Sequence, residues 1–429
     1  MTFFPSTSQK DYRRPQADWL CCLAGIFFIS IGCSCGKKIA AREAADNSAT
    51  VPRLAAPIHI SQLLFNGGNE GAGGVSTYHS FRIPSIVRTN NGTLIAFAEG
   101  RRWSPSDYGD INLVYKRSTD NGVTWSALGE VVGTGPGTWG NPTAVYDSKK
   151  GPNGRVWVFM NWNDSAKHKI ADFTAWGDRR VYSAYSDDHG VSWSTPVNMT
   201  ATLTPTTYKW DAVGPGIGIQ TIAGDHPGRL IIPAYGRNIY SDDSGTTWQY
   251  QLLSGGKHES TIVEQLNGTL LRNDRPNDTE WATAKRRIKA TGSITGGFGA
   301  WTADTALTDP KCEGSTIRYN TDDPARIIFL NPNSDSKRCN MTVRISYNDG
   351  GTWPRSRPIY DWNTCDYTTI AAGNNIAKGG YSSMIKTADF AVGALIEINE
   401  GLSTSSTSNK SIEFHKFNLG WILNGAPEP

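Results

Sequence analysis

The sequence predicts an all-β chain built as a propeller. Three observations carry that expectation: an octapeptide that recurs along the chain, the spacing of its copies, and a composition suited to short strands and tight turns. The octapeptide reads S-x-D-x-G-x-x-W and runs from Ser118 to Trp125, Ser186 to Trp193 and Ser241 to Trp248; a fourth copy, Ser346 to Trp353, carries Asn348 in place of Asp. The starting serines lie 68, 55 and 105 residues apart, and the last gap is nearly twice the second. A further copy is therefore expected near residue 293. Ser293-Ile-Thr-Gly-Gly297-Phe-Gly-Ala-Trp301 stands there, lacking the Asp and holding one extra residue before Trp. Periods near 50 residues mark propeller arrays, in which no unit buries both faces alone. At that period, about 345 residues allow six or seven blades. Gly 45, Trp 15 and Tyr 16 supply the β-formers and turn residues that such an array needs.

The octapeptide has a local physical explanation. An Asp or Asn two residues before a Gly favours a hairpin turn, with the side chain accepting backbone N–H bonds and Gly taking positive φ. The Trp is expected to tuck into the blade. The boxes are therefore read as structural.

Ahead of the repeats the chain changes character. Lys10, Arg13 and Arg14 precede an apolar run from Trp19 to Gly32, the layout of a signal peptide or short signal-anchor within residues 1–41. Ser30-Ile-Gly-Cys33 faintly suggests lipoprotein processing, although Ser30 stands where an aliphatic residue is usual. Residues 42–75, ending in the Gly-rich NGGNEGAGG, hold few aromatics and read as a linker. The repeat domain is placed at 76–420, starting near Tyr78, with a tail at 421–429. Export to the outside or the cell surface follows, with a membrane tether left open.

Cysteine usage agrees with export. Cys21, Cys22, Cys33 and Cys35 lie in or beside the N-terminal segment, leaving Cys312, Cys339 and Cys365 in the body. One disulfide and one free thiol fit, with Cys339–Cys365 the first pair to test, although sequence alone does not fix connectivity. Asn91, Asn163, Asn198, Asn267, Asn277 and Asn340 stand in Asn-x-Ser/Thr sequons, several of which a polar chain holds by chance. Net charge is +3 without basic runs, so nucleic acid is excluded as a partner. The His and Cys residues show no metal-ligand spacing and no Gly-rich phosphate loop follows a strand, so no metal or cofactor is expected.

Phe81-Arg82-Ile83-Pro84 precedes the first octapeptide, with Arg82 lying 36 residues before Ser118. Together with the repeats, called Asp-boxes, this motif resembles the exo-sialidase (neuraminidase) family of bacterial and fungal type from about residue 78 to 415. The resemblance implies a six-bladed β-propeller. It implies hydrolysis of terminal sialic acids from glycoproteins, glycolipids or oligosaccharides, with retention and without a cofactor.

A sialic acid carries a carboxylate on its anomeric carbon, and guanidinium groups grip carboxylates best through paired charge-assisted bonds. The family uses three arginines. Arg82 matches the first, Arg275 the second, and Arg338, just ahead of Met341-Thr-Val-Arg-Ile-Ser346, is chosen for the third over Arg344. An anionic nucleophile would meet like-charge repulsion at such a carbon, whereas a neutral phenol avoids it. Tyr381 in Gly379-Gly380-Tyr381-Ser382-Ser383 resembles the family nucleophile, and Glu259, 16 residues before Arg275, resembles its base. The acid that protonates the leaving oxygen is expected at Asp107, with Asp110 as the rival that opens the next strand. Arg101 matches an arginine contacting the far side of the sugar, and Arg102 is its alternative. Selectivity at carbon 5 is expected around Asn161-Trp162-Asn163-Asp164, with Asn163 as the contact; the substrate is N-acetylneuraminic acid or the deaminated KDN. Tyr235 is read as a wall for the glycerol chain or, equally, as a packed tyrosine.

Two other readings remain. A non-catalytic sialic-acid-binding propeller needs the arginines alone, so Asp107, Glu259 and Tyr381 favour an enzyme. A trans-sialidase usually appends a lectin-like domain, which is not expected after Trp421-Ile-Leu-Asn-Gly-Ala-Pro-Glu-Pro.

Overall fold

The computed structural model describes residues 55–133, 135–255, 258–365, 377–399 and 410–429. The expected signal segment 1–41 and the first part of the expected linker lie outside the described residues. Strands dominate, arranged in five hydrogen-bonded sheets. The first has nine strands. Ser80–Arg88, Leu94–Arg101 and Ile111–Ser118 lead into Gly137–Asp147, Arg155–Asp164, Arg179–Ser186 and Val197–Asn198. Its two halves are joined by one parallel pair, Ile111 with Thr138. Two further sheets have four strands each, Ile219–Gln220 to Gln249–Leu252 and Ser315–Asn320 to Arg355–Pro358, and between them Ser260–Glu264 leads a sheet of five. The last sheet orders His59–Phe65, Ser411–Phe417, Val392–Asn399 and Ala377–Lys386.

The leading strands pack side by side in chain order. Ser80–Arg88 lies against Gly137–Asp147; Ser260–Glu264 lies between Leu230–Ala234 and Ser315–Asn320; and Ala377–Lys386 packs on both Ser315–Asn320 and Ser80–Arg88, closing a ring. This is a β-propeller arrangement. Buried apolar residues such as Val87, Phe97, Val158, Ile328 and Val343 fill the spaces between sheets, in alternation that matches the two-residue strand period.

The Asp-boxes are turns, as expected, and they clip neighbouring sheets together. Asp120 accepts from the Thr124 amide at 2.9 Å and from the Ser118 hydroxyl at 2.7 Å, while the Ser118 oxygen accepts from the Gly122 amide at 2.8 Å. Asn348 does the same work through one oxygen, accepting from the Thr352 amide at 2.8 Å. Gly122 sits at φ 83°, and a Cβ there would lie 2.4 Å from the Phe414 ring of the last sheet. The tryptophans differ from the expectation that each tucks into its own blade. Trp125 packs edge-on against Phe414, Trp193 against Phe97 and Trp248 against Phe159, each in the preceding set of strands. The degraded copy near 293 clips differently, with Asp225 accepting from the Thr295 amide and hydroxyl.

Both ends of the domain extend beyond the expected boundaries. The linker assigned to 42–75 contains strand His59–Phe65, which pairs antiparallel with Ser411–Phe417 and so closes the last sheet. Leu64 and Phe65 are buried with Phe81 and Phe414, so the fold is under way well before Tyr78. The strand was hidden because its partner lies some 350 residues away in sequence and it has no hairpin of its own. The tail assigned to 421–429 includes part of the short helix Leu419–Leu423, which buries Trp421, Ile422 and Leu423. Beyond it, Glu428 accepts from Arg326 Nε at 2.6 Å. Cys339 and Cys365 form a disulfide and Cys312 is a buried free thiol. Among the described residues, no helix is long and apolar enough to cross a membrane.

Candidate active site

A pocket of about 280 Å³ opens where the leading strands converge. Arg82, Arg101, Asp107, Asn163, Glu259, Arg275, Arg338 and Tyr381, the first choices from the sequence, line it, and Tyr235 does not. Most are delivered by a strand or by the residues flanking one, and Asp107 by a loop between two strands. Arg82 sits early in Ser80–Arg88, Glu259 immediately before Ser260–Glu264, Arg275 just after Leu270–Asp274, and Tyr381 within Ala377–Lys386.

Tyr381 is buried and its hydroxyl donates to Glu259 Oε1. Arg275 Nη1 donates both to the Tyr381 oxygen, at 2.7 Å, and to Glu259 Oε2, at 2.6 Å. The guanidinium carbons of Arg82 and Arg338 lie 5.2 and 5.0 Å from the Tyr381 ring centre. Burial pushes the Tyr381 phenol well above its usual range, with Glu259 adding to the rise and Arg275 and Arg338 opposing it. Burial also pushes Glu259 up, but the charges of Arg275 and His258 together with the hydrogen bonds from Tyr381 and Arg275 outweigh it and hold the carboxyl below its ordinary value. The resting pair is therefore a neutral phenol on a carboxylate, which is the state in which Glu259 can take a proton.

Arg82 is fixed by a residue that the sequence reading missed. Glu397 accepts from Arg82 Nε and Nη2, both at 3.1 Å, and from the amides of Ile83 at 2.8 Å and Tyr381 at 3.0 Å. One buried carboxylate thus orients an arginine of the pocket wall and the backbone that carries the tyrosine. Ile83 sits at φ 57°, a region that a β-branched residue avoids, next to a register shift between Arg82 and Ser85. Backbone strain of this kind costs about 1–3 kcal/mol and persists where surrounding contacts over-determine it. A signal for Glu397 was present: it is the lone charge in the apolar strand Val392–Asn399, and a fully buried charge needs a partner.

Asp107 lies in the loop between Leu94–Arg101 and Ile111–Ser118. Its Oδ1 is 2.9 Å from Arg82 Nη1 and 2.7 Å from Arg101 Nη1, yet the side chain is 77 % exposed and open to an incoming ligand. Desolvation pushes its pKa up, but Arg101 and Arg82 outweigh this and hold it well below the usual carboxylate range. Asp110 turns away to pair with Arg102 at 2.8 Å, and its carbonyl accepts from the Arg102 amide, which pins the base of the loop. Neither lines the pocket. Arg101 is held by Glu99 at 2.6 Å. Arg344, the rival for the third arginine, is buried within its sheet against Asn331, 2.9 Å away, and is absent from the pocket wall.

Asn163 faces the pocket as part of a polar wall, its oxygen accepting from Arg179 Nη1. Arg179 also donates to Asn141 Oδ1 at 3.0 Å and to the Asp211 carbonyl at 2.7 Å. It was not singled out from the sequence, where it is one of two adjacent arginines opening a strand. Burial of Asn163 at 1 % exposure rules its sequon out as a glycan acceptor in the folded protein. Tyr235 does not line the pocket: it packs against Trp210 and His258, at ring separations of 5.4 Å, and those two residues do. Its packed reading is the one the geometry supports.

A propeller whose axial pocket combines a guanidinium wall with a buried Tyr–Glu pair defines the class: a glycoside hydrolase. The model for a BNR repeat-like domain matches residues 92–393. An exo-alpha-sialidase of Aspergillus fumigatus is 44% identical over 402 residues, 87% of this chain and 93% of that protein. An exo-alpha-sialidase of Arthroderma benhamiae is 43% identical, over 86% of this chain and 92% of that protein. Among solved structures, the intramolecular trans-sialidase of Ruminococcus gnavus, in complex with oseltamivir carboxylate, superposes with a TM-score of 0.69 at 18% identity, covering 86% of this chain and 99% of that one. The chain belongs to the exo-alpha-sialidase family.

Proposed function

We propose that the protein is an exo-α-sialidase that releases terminal sialic acids from glycoproteins, glycolipids or oligosaccharides by a double displacement with net retention. The observation that carries this reading is the contact of Tyr381 with both Glu259 and Arg275 at the floor of the pocket. Arg82, Arg275 and Arg338 grip the sialic carboxylate. Tyr381 attacks the anomeric carbon while Glu259 takes the phenolic proton, and Arg275 and Arg338 stabilise the charge that develops on the oxygen. Asp107 protonates the departing glycosidic oxygen and then, as a carboxylate, activates the water that hydrolyses the tyrosyl intermediate.

The ion pairs of Asp107 bear on its role. A carboxylate held far down by two guanidiniums is a poor acid, but Arg82 is shared with the substrate carboxylate. Binding diverts Arg82 and brings a second negative charge close, and both effects raise the Asp107 pKa. The acid is thus charged in the free protein and gains its proton as the complex forms.

Six blades are the reading that fits the ring of leading strands. Its support is the single bridge inside the nine-stranded sheet, which separates a four-stranded from a five-stranded unit, alongside the four remaining sheets. N-acetylneuraminic acid is the default substrate. KDN is the second reading, favoured by the Asn163–Arg179–Asn141 wall, whose polar groups suit a hydroxyl at carbon 5 better than the methyl of an N-acetyl group. Export, with or without an N-terminal tether, is supported by the apolar run and by the Cys339–Cys365 disulfide, since disulfides persist in oxidising compartments. The test is hydrolysis of aryl glycosides of Neu5Ac and KDN. Release of aglycone from either, lost in Tyr381→Phe, supports the proposal, and turnover of neither overturns it.

A further inference from the structure

The leading strands Ser80–Arg88, Ser260–Glu264, Ser315–Asn320 and Ala377–Lys386 each stand at the edge of a sheet, so the amides along their outer side lack ladder partners. Hydroxyls of the adjacent leading strand accept from several of them: Ser383 from Ile86 at 3.1 Å, Thr261 from Thr316 at 3.2 Å and Ser315 from Met384 at 2.9 Å. At Ser382, the residue after the tyrosine, the acceptor is instead a carboxyl. Glu313, just ahead of Ser315–Asn320, accepts from the Ser382 amide at 2.8 Å and is only 2 % exposed. The mechanism above gives it no part.

The strand that carries the tyrosine is locally irregular. Its register against Val392–Asn399 shifts between Lys378 and Ser382. Gly379, at φ 147°, lies so near the neighbouring chain that a Cβ would be 2.7 Å from the Arg338 carbonyl oxygen. A register shift of this kind re-aims a side chain, and the Tyr381 hydroxyl here meets Glu259 and Arg275. Two carboxyls hold the shifted backbone. Glu397 accepts from the Tyr381 amide at 3.0 Å, and Glu313 accepts from the next amide along. Their charge states differ. Glu397 is ionised against Arg82. Burial pushes the Glu313 carboxyl well above the ordinary carboxylate range, and Glu259 and Glu397 add to the rise against the Ser382 amide and Arg287. Glu313 is therefore a neutral acid near pH 7, which supplies an acceptor oxygen without setting another negative charge beside Glu259.

We propose that Glu313 is a positioning residue for the nucleophile, clamping the Ser382 amide so that the register shift aims the Tyr381 hydroxyl at the anomeric carbon. The inference rests on the sialidase reading and deepens it. Without the acceptor, a buried amide is left unpaired and the strand moves to relieve it. A misplacement of about 1 Å at a reacting atom costs about 10²-fold in rate. Arg82, Arg275 and Arg338 stand on other elements, so the grip on the substrate carboxylate survives.

The test follows formation of the Tyr381 adduct with the 3-fluoro-sialyl fluoride of Neu5Ac or KDN, because this reads the first chemical step alone. Glu313→Met removes the acceptor at similar volume, and Glu313→Gln keeps a neutral acceptor of the same shape. In Glu313→Met the maximal labelling rate should fall about 10²-fold. The half-saturating concentration should stay within about twofold and labelling should still reach completion, with Glu313→Gln restoring most of the rate. A residue that served the fold alone would lower the fraction of protein labelled and the melting temperature, and leave the rate of the folded molecules unchanged. That pattern overturns the proposal, as does a loss confined to the half-saturating concentration or a loss in Glu313→Gln as large as in Glu313→Met. Should Glu313→Met not fold, Glu313→Asp, which withdraws the acceptor by one carbon, is read in the same way. Failure of the unaltered protein to form any adduct with either reagent overturns the sialidase reading and the inference with it.

Discussion

Asp107 and Asp110 sit three residues apart, and their contacts separate their roles. Asp107 faces the pocket with an exposed carboxyl, whereas Asp110 is committed to Arg102 at the loop base. An alkyl sugar alcohol leaves poorly as an alkoxide, while 4-methylumbelliferone leaves readily as an anion. Asp107→Ala should therefore depress cleavage of sialyllactose more than that of the aryl sialoside, by a further factor of about 10²–10⁴. Asp110→Ala should lower both substrates alike. The reverse pattern would exchange the two residues. At this scale the sequence is informative where a residue belongs to a motif: Arg82, Glu259, Arg275 and Tyr381 meet as their settings imply. It is mute where the meaning lies in a partner distant in the chain. Glu397 joins Arg82 to Tyr381 from a third position, and Arg179 joins Asn141 to Asn163. No local pattern records those pairings.

Turns and strands divide in the same way. The Asp-box is legible because the hydrogen bonds that form its turn are local, but the sheet that its Gly and Trp clip together is invisible from the box itself. The closing strand is the extreme case, since, among the described residues, 59–65 find their only strand partner at 411–417. That closure carries a pH-sensitive cluster. His59 Nε2 lies 3.0 Å from His415 Nδ1, and His415 Nε2 lies 3.1 Å from Glu413, which also accepts from Lys378 and from Tyr360. Burial, then the neighbouring charges of His415 and Arg357, lower His59 to about 4, against the pull of Glu413 and Asp361; burial also lowers His415, and Glu413 is held down at about 2. Below its ordinary pKa of 6.5, an unfolded His59 binds a proton that the folded one refuses, so stability falls as pH drops from 6.5 toward 4. Glu413 extends the loss from 4.5 toward 2, where the unfolded carboxyl is protonated and the folded one is not. The melting temperature should decline across the first window, and His59→Gln should flatten that decline. Parallel pH profiles for the two proteins would remove His59 from the account.

The described sheets form a ring whose inner strands deliver functional groups to one axial pocket. That convergence explains how residues as far apart in sequence as Arg82, Glu259 and Tyr381 line a single pocket, and why the repeat period foretold the architecture but not the closure at the chain ends. The N-terminal strand and the short helix at Leu419–Leu423 lie outside the repeat, so periodicity could not reveal them. The central claim is that this ring positions a tyrosine, rather than a carboxylate, to form a covalent bond with the substrate. The most direct measurement is peptide mass spectrometry after reaction with a 3-fluoro-sialyl fluoride, whose good leaving group lets the intermediate form while fluorine slows its hydrolysis. The account predicts a sialyl adduct on Tyr381, absent in Tyr381→Phe. An adduct on Glu259 instead would contradict it.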